Sequence, residues 1–277
     1  MVRLIVNGAG GRMGRRIIAL AVEDPELALA AAFERPGHPD LGKDAGTLAG
    51  IEPLGIALSP RAEAAADVAV DFSHADSALE MINWCAERRI GLVVGTTGMG
   101  GEATHRLEAA ARSIPCLLAA NMSLGVNLLL RVVRDVAAAL GDAYDVEIVE
   151  AHHNRKKDAP SGTALALGEA AAAGLGRKLA EVAVHGRHGM AGERSRREIG
   201  FHAIRAGDIV GEHTVIFGGQ GERVELRHVA TSRDTFARGA LRAARFIASK
   251  PPGLYTMADV LGRGPAIGGL TCRPQAV

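Results

Sequence analysis

Apolar residues up to about position 120 fall into short continuous runs separated by stretches of helical spacing. Val2–Val6 is a largely β-branched run that stops at Asn7-Gly8, and Arg12–Val22 then carries Met13, Ile17, Ile18 and Leu20 at helical intervals. Leu29–Phe33, Val68–Phe72, Leu92–Val94 and Ile114–Leu118 read as further buried strands, with Ala75–Arg88 and Glu102–Ala111 as helices between them. Short apolar strands alternating with helices predict a parallel sheet covered on both faces. After Asn121 the pattern changes. Leu124–Leu140 is a long apolar helix, Asp145–Glu150 a strand and Gly162–Ala173 a helix. Glu181–His185, Glu198–Arg205, Glu212–Phe217 and Arg223–Ala230 then give β-like runs, the later ones closely spaced and alternating, a pattern that predicts an antiparallel sheet. A last helix, Thr235–Ser249, is stopped by Pro251-Pro252, and its apolar face is free to return to the first domain. The expected fold is α/β: a doubly wound, Rossmann-type parallel-sheet domain over 1–123 plus 233–277, with an α+β domain inserted over 124–232.

Composition narrows the function. The 277 residues are 48% hydrophobic and 23% charged, enough apolar material for a packed core and too little charge for disorder. Lys plus Arg number 32 against 31 Asp plus Glu, so no net basic field gathers nucleic acid. Aromatic residues are 3%, with Trp84 the single tryptophan, which argues against base-stacking platforms and a membrane-interface belt. Cys85, Cys116 and Cys272 show no metal-type spacing and read as inert thiols of a reducing compartment. No signal-like leader and no stretch of spanning length is seen, so a soluble, cytoplasmic protein without nucleic-acid or membrane partners is expected.

The candidate chemistry begins between the first strand and helix. Gly8-Ala9-Gly10-Gly11-Arg12-Met13-Gly14 does not follow GxGxxG, because Met13 stands three after Gly10, but it reads as GxxGxxG through Gly8, Gly11 and Gly14. Glycines there allow a tight turn and close approach of a pyrophosphate to the helix N-terminus; a purely structural loop is the alternative. Glu34 ends the second strand where an acid would bind the adenosine ribose, and Arg35 beside it can pair with a 2′-phosphate, so NADPH and NADH are both candidates. Gly95-Thr96-Thr97-Gly98 and Ala119-Ala120-Asn121-Met122-Ser123 follow two later strands. They are either ordinary βα loops or the walls of a close-fitting nicotinamide cleft.

Glu150 to Thr163 is the segment densest in reactive side chains. It starts as a strand, where neighbouring side chains point to opposite faces, so His152 and His153 cannot share a metal without a bend, and no metal is expected. Two histidines with Lys156 and Lys157 suit an anionic substrate and proton transfer. Pro160-Ser161-Gly162-Thr163 opens a helix with Ser161 as its cap, giving free amides and a hydroxyl that suit a carboxylate. A capped helix start preceded by solvated charges is the plainer alternative. Walker spacing is absent.

Taken together, GAGGRMG, ERPGH at Glu34, DFS at Asp71, GTTG at Gly95, AANMS at Ala119, EAHHNRKKDAPSGTA at Glu150 and RAGDIVGEHTVIF at Arg205 resemble the 4-hydroxy-tetrahydrodipicolinate reductase (dihydrodipicolinate reductase) family of diaminopimelate and lysine biosynthesis. The resemblance is collinear over nearly the whole chain. It implies NAD(P)H-dependent reduction of a cyclic dicarboxylic imine with loss of its 4-hydroxyl as water, in a homotetramer assembled through the inserted substrate domain. By position it implies that Gly8, Ala9, Gly10, Gly11, Arg12 and Met13 hold the pyrophosphate, Glu34 the ribose and Arg35 the 2′-phosphate. Gly95, Thr96, Thr97, Ala119, Ala120, Asn121 and Met122 would line the nicotinamide side. His152 and Lys156 match proton-transfer positions, and His153, Gly162 and Thr163 match substrate contacts. Met122 departs from the family's Phe in AANFS, and Asn154 from the common Arg. The rivals are another amino-acid-pathway reductase, such as an aspartate or homoserine dehydrogenase, and a nucleotide-binding sensor without turnover. The His-Lys loop argues against the sensor, and PSGTA against the other dehydrogenases.

Overall fold

The computed structural model describes residues 1–61 and 64–262; Cys272 and the stretch 263–277 of the expected first domain lie outside the described residues. The chain begins with β1 (Val2–Asn7), α1 (Arg12–Val22), β2 (Leu27–Phe33), α2 (Ala45–Ala49), β3 (Leu58–Ser59), β4 (Val68–Asp71), α3 (Ala75–Arg88), β5 (Gly91–Val94), α4 (Gly100–Ala110) and β6 (Pro115–Leu118). It continues with α5 (Leu124–Leu140), β7 (Asp145–His152), α6 (Gly162–Gly174), α7 (Leu179–Val182), β8 (Ala183–His185), β9 (Ile199–Arg205), β10 (Gly211–Gly218) and β11 (Arg223–Ala230). It then runs through α8 (Asp234–Ile247), β12 (Gly253–Tyr255) and α9 (Met257–Leu261).

One sheet has seven strands in the order β12-β6-β5-β4-β1-β2-β3, all paired parallel. Its central strands are buried on both faces because helices cover each side, which is why β4 and β5 read as unbroken apolar runs. Ile17 and Ile18 of α1 and Ala240 and Leu241 of α8 share one core with Val6, Val70 and Val93. Met81, Ile82 and Cys85 of α3 and Leu107 of α4 share the opposite core with Ile5, Ala69 and Leu92. The order reverses direction between β1 and β4, and the carboxyl ends of these strands face the nucleotide-type loops, as a doubly wound sheet requires.

The second sheet runs β11-β10-β7-β9-β8. Here the expectation of an antiparallel sheet is corrected: β10 is antiparallel to β7 and β11, but β9 is parallel to β7, and β8 to β9. The reason is the connection from β7, which travels through α6 and α7 before the chain re-enters the sheet, as parallel pairing demands. The expected strand over Glu181–His185 is also shortened, since Glu181 and Val182 belong to α7. Val146, Ile148, Glu150 and His152 alternate onto the buried face of β7. Gly211, His213, Val215 and Phe217 do the same on β10. α5 and α6 cover that face through Leu129, Val133, Leu167 and Ala171. Two strand residues carrying chemistry, Glu150 and His152, are therefore held at the end of an apolar ladder rather than on a loose loop.

Candidate active site

The glycine turn joins β1 to α1 with little room to spare. Gly8 has φ of 75°, and its carbonyl accepts from the Gly11 amide at 3.0 Å. A Cβ on Gly14 would stand 2.2 Å from that same carbonyl oxygen, so helix and loop touch backbone to backbone. Gly11, the N-cap of α1, offers no capping side chain, and no acidic residue occupies the first turn, so the helix start keeps its positive end open. Across the turn, Glu34 follows β2 and its carboxylate accepts from the Gly10 amide at 3.0 Å. A hollow of about 450 Å³ is lined by Gly8, Gly11, Arg12, Met13, Phe72 and Gly95 among others. It adjoins one of about 560 Å³ that Glu34, Arg35 and Arg61 share with Ser77. Ala9 and Gly10 contribute backbone rather than lining: Ala9 is buried and donates its amide to the Phe33 carbonyl at 3.0 Å. A phosphate-bearing nucleotide fits this backbone, since any side chain at position 8 or 14 would fill the turn.

Beneath the hollow lies a polar cluster to which the motif reading assigned no role. Asp71 at the end of β4 is fully buried and accepts from Asn7 Nδ2, Thr96 Oγ1 and, at 3.0 Å, Ser73 Oγ. Burial pushes its carboxyl pKa up, and these hydrogen bonds oppose the rise without cancelling it. Asp71 thereby ties the ends of β1, β4 and β5 together. Asn7 and Asp71 stand opposite each other in register, each the polar last residue after an apolar run, Leu4–Val6 and Val68–Val70, of parallel strands, and that pairing is the available sequence signal. The Phe72 ring lies where a Cβ on Gly95 would be, 2.3 Å away, so glycine there lets the ring close over the loop.

The larger cleft, about 920 Å³, opens where the two sheets meet. One wall is Thr97, Ala119, Ala120 and Asn121 from the first sheet; the other is His152, Lys156, Ser161, Gly162 and Thr163. Asn121 Nδ2 donates to Thr163 Oγ1 at 2.9 Å, linking the walls directly. Ser161 caps α6 by accepting from the Ala164 amide at 3.1 Å. Lys156 Nζ lies 2.9 Å from Asp158 Oδ1. His152 Nδ1 is 2.6 Å from Glu150 Oε2, and Arg205 donates to both oxygens of Glu150 at 2.7 and 2.8 Å. The Ser161 amide also donates to Glu150, at 3.0 Å, and Ser161 Oγ is 3.0 Å from His213 Nε2. Burial pushes the His213 imidazole down to about 4. The RAGDIVGEH segment thus packs behind His152: Arg205 grips Glu150, Gly211 leaves room beside the imidazole, and His213 meets the helix cap.

Four residues expected on the nicotinamide or substrate side do not line this cleft. Gly95 and Thr96 line the smaller hollow beside the glycine turn instead, Thr96 being held there by its bond to Asp71. The Met122 side chain is buried in the core of the first sheet, packed with α8, because Gly239 brings that helix against the Met122 carbonyl. His153, the first residue past β7, is absent from the lining, and its Nδ1 is buried with no hydrogen-bond partner among the described residues.

The N-terminal dihydrodipicolinate reductase family model matches residues 2–122, and the C-terminal one matches residues 125–261. The chain belongs to the dihydrodipicolinate reductase family. A 4-hydroxy-tetrahydrodipicolinate reductase of Anaeromyxobacter sp. (strain Fw109-5) is 56% identical, over 95% of this chain and 98% of the relative. That of Rubrobacter xylanophilus is 52% identical, over 96% and 100%. The fold of these dihydrodipicolinate reductases is shared by the dipicolinate-bound enzyme of Paenisporosarcina sp. TG-14, with a TM-score of 0.73 at 24% identity over 92% of this chain and 97% of that one. An amine dehydrogenase of Mycobacterium smegmatis shows the same architecture more distantly, with a TM-score of 0.58 at 16% identity, covering 92% and 95%.

Proposed function

We propose that this protein reduces 4-hydroxy-tetrahydrodipicolinate to tetrahydrodipicolinate with NADPH or NADH, water leaving, in diaminopimelate and lysine biosynthesis. The observation that carries this reading is the single cleft in which the loops after β5 and β6 face His152, Lys156 and the start of α6. Nicotinamide-type loops and a cationic, proton-bearing loop on opposite walls suit a reduction in which charge develops on the substrate.

When bound, the nicotinamide supplies a hydride. The chain's own residues then have distinct tasks. Arg12 and Met13 present backbone amides at the start of α1 to the pyrophosphate, and Gly8, Gly10 and Gly11 let it approach the turn closely. Glu34 accepts from the ribose hydroxyls, and Arg35 meets a 2′-phosphate. Thr163 Oγ1 already accepts from Asn121, so its own proton is free for a substrate carboxylate, alongside the Gly162 amide. A Cβ at Gly162 would meet nothing within 4 Å, which leaves that approach open. Lys156 places an ammonium against the charge that develops on the substrate. Residues 124–232 are the substrate-binding and oligomerisation domain, residues 1–123 with the described residues from 233 onward the nucleotide domain, and the working protein is a cytoplasmic homotetramer. Among the described residues no helix is long and apolar enough to cross a membrane.

The test is an assay with enzymatically generated 4-hydroxy-tetrahydrodipicolinate, following oxidation of each nucleotide. Turnover with at least one is expected. Absence of turnover with both, for protein that binds nucleotide, would overturn the assignment.

A further inference from the structure

Glu150 is 1% exposed and yet makes four polar contacts with three groups. Two guanidinium bonds from Arg205 and the Ser161 amide occupy its oxygens, and the remaining neighbour is His152 Nδ1 at 2.6 Å. An ionised carboxylate only accepts hydrogen bonds, so the proton in that short contact belongs to Nδ1. A neutral imidazole carries one ring proton, so Nε2 then holds a lone pair. Nε2 has no hydrogen-bond partner among the described residues, and the side chain lines the cleft. Gly211 helps keep it open: a Cβ there would stand 3.1 Å from Nε2.

We propose that Glu150, clamped by Arg205, is a positioning residue that fixes His152 with its proton on Nδ1, making His152 Nε2 the proton acceptor of the reaction and leaving Lys156 as the donor. This rests on the function proposed above and assigns its two proton-transfer residues opposite roles. The step served is the loss of water. Nε2 takes the proton from the ring carbon between the imine carbon and the hydroxyl-bearing carbon. The C–H electron pair becomes the new C=C bond, the C–O bond breaks, and the hydroxyl leaves with a proton from Lys156. No oxidation state changes overall, and one proton passes from Lys156 to His152.

The charges around His152 agree with an acceptor. Burial lowers the imidazole pKa most, Glu150 opposes this, and Lys156 and Arg205 lower it further. His213, edge-on at 5.1 Å between ring centroids, stays neutral and adds no charge. Burial alone would raise Glu150, but Arg205 and His152 outweigh it and keep the carboxyl ionised.

The experiment has a structural and a kinetic arm. Neutron crystallography of the deuterium-exchanged wild-type protein near pH 7 is expected to show deuterium on His152 Nδ1 and none on Nε2 or Glu150. Deuterium on Nε2 of a neutral ring, or on the carboxyl, would overturn the proposal. Glu150→Gln is expected to lower kcat by about 10²-fold or more, with dipicolinate and nucleotide affinities changed less than threefold. Arg205→Lys, which keeps the carboxylate and removes the forked grip, should give a smaller loss in kcat and shift the acid limb of the pH profile. Wild-type kcat and pH profile in both variants would also overturn it; if Glu150→Gln fails to fold, Arg205→Lys and the neutron map decide. A wild-type protein that does not reduce the hydroxy acid at all would instead refute the functional reading, since the tautomer is read without substrate.

Discussion

Gly14→Ala is a sharp test of the glycine turn, because it adds one carbon at the point where α1 meets the loop. The new Cβ would stand 2.2 Å from the Gly8 carbonyl oxygen and 2.6 Å from Ala9 Cα, both well short of the 3.4 Å of ordinary contact. Both obstacles are backbone, so no side chain can swing aside. Overpacking of this kind costs about 1–3 kcal/mol, against a helix-propensity gain of about 0.5–1 kcal/mol for replacing glycine. The net loss is about 0–2.5 kcal/mol, or a fall in Tm of up to about 10 °C for a domain of this size. The larger effect falls on nucleotide binding, because relief of the clash moves amides that face the pyrophosphate. Loss of one charge-assisted hydrogen bond is worth about 1.5–3 kcal/mol, which weakens NADPH by about 10- to 150-fold. Titration calorimetry gives the Kd and scanning calorimetry the Tm. Gly101→Ala is the control: it also sits in the first turn of a helix, but its Cβ would meet nothing within 4 Å, so stability should rise slightly and Kd stay fixed. Wild-type Kd and Tm for Gly14→Ala, or an equal loss in Gly101→Ala, would refute the reasoning.

Three further outcomes follow from the described geometry. Thr163→Val removes the hydroxyl and leaves Asn121 Nδ2 without its acceptor, so dipicolinate inhibition should weaken by about 1–3 kcal/mol; an unchanged inhibition constant would remove Thr163 from the carboxylate site. Arg35→Ala should raise the KM for NADPH more than that for NADH, and equal effects would detach Arg35 from the 2′-phosphate. His213, pushed by burial from its ordinary 6.5 down to about 4, makes the folded state resist a proton that the unfolded chain accepts. Its contribution to stability is therefore full above pH 6.5 and is lost as the pH falls toward 4, which denaturant titrations of wild type and His213→Asn should show as a steeper acid decline in wild type.

How much of this was legible depended on what each element owes to its own residues. β1, β4 and β5 are plain because their stretches buried on both faces, Leu4–Val6, Val68–Val70 and Leu92–Val94, are continuously apolar. β3 and β12 are two and three residues long, held by pairing with β2 and β6, and such short pieces carry no period. Alternation along β9 showed a half-buried strand but not its direction, which the path through α6 and α7 decides. In the site, the burial alternation of β7 carries Glu150 and His152 inward together, and the strand ends before His153. The fate of Met122 was hidden, since an apolar residue in a polar loop turns toward whichever surface is nearer, and α8 comes from far along the chain. Glu150 and Arg205 stood in recognised motifs, yet their contact depends on the parallel register of β7 with β9, which places Arg205 opposite His152.

The late return of the chain to its first sheet has a consequence during synthesis. β6 ends at Leu118, and its outer neighbour β12 begins at Gly253, so residues 119–252 must be made in between. At about 5–20 residues per second this takes about 7–27 s. Throughout that interval the nascent sheet has an open edge at β6, and the face bearing Val70, Val93 and Leu117 lacks Ala240, Leu241 and Ile247 of α8. The second sheet, built from residues 145–230, is by contrast contiguous and can be finished first. The half of the molecule that begins first on the ribosome is thus the one completed last, and it is there that a chaperone would find exposed apolar surface.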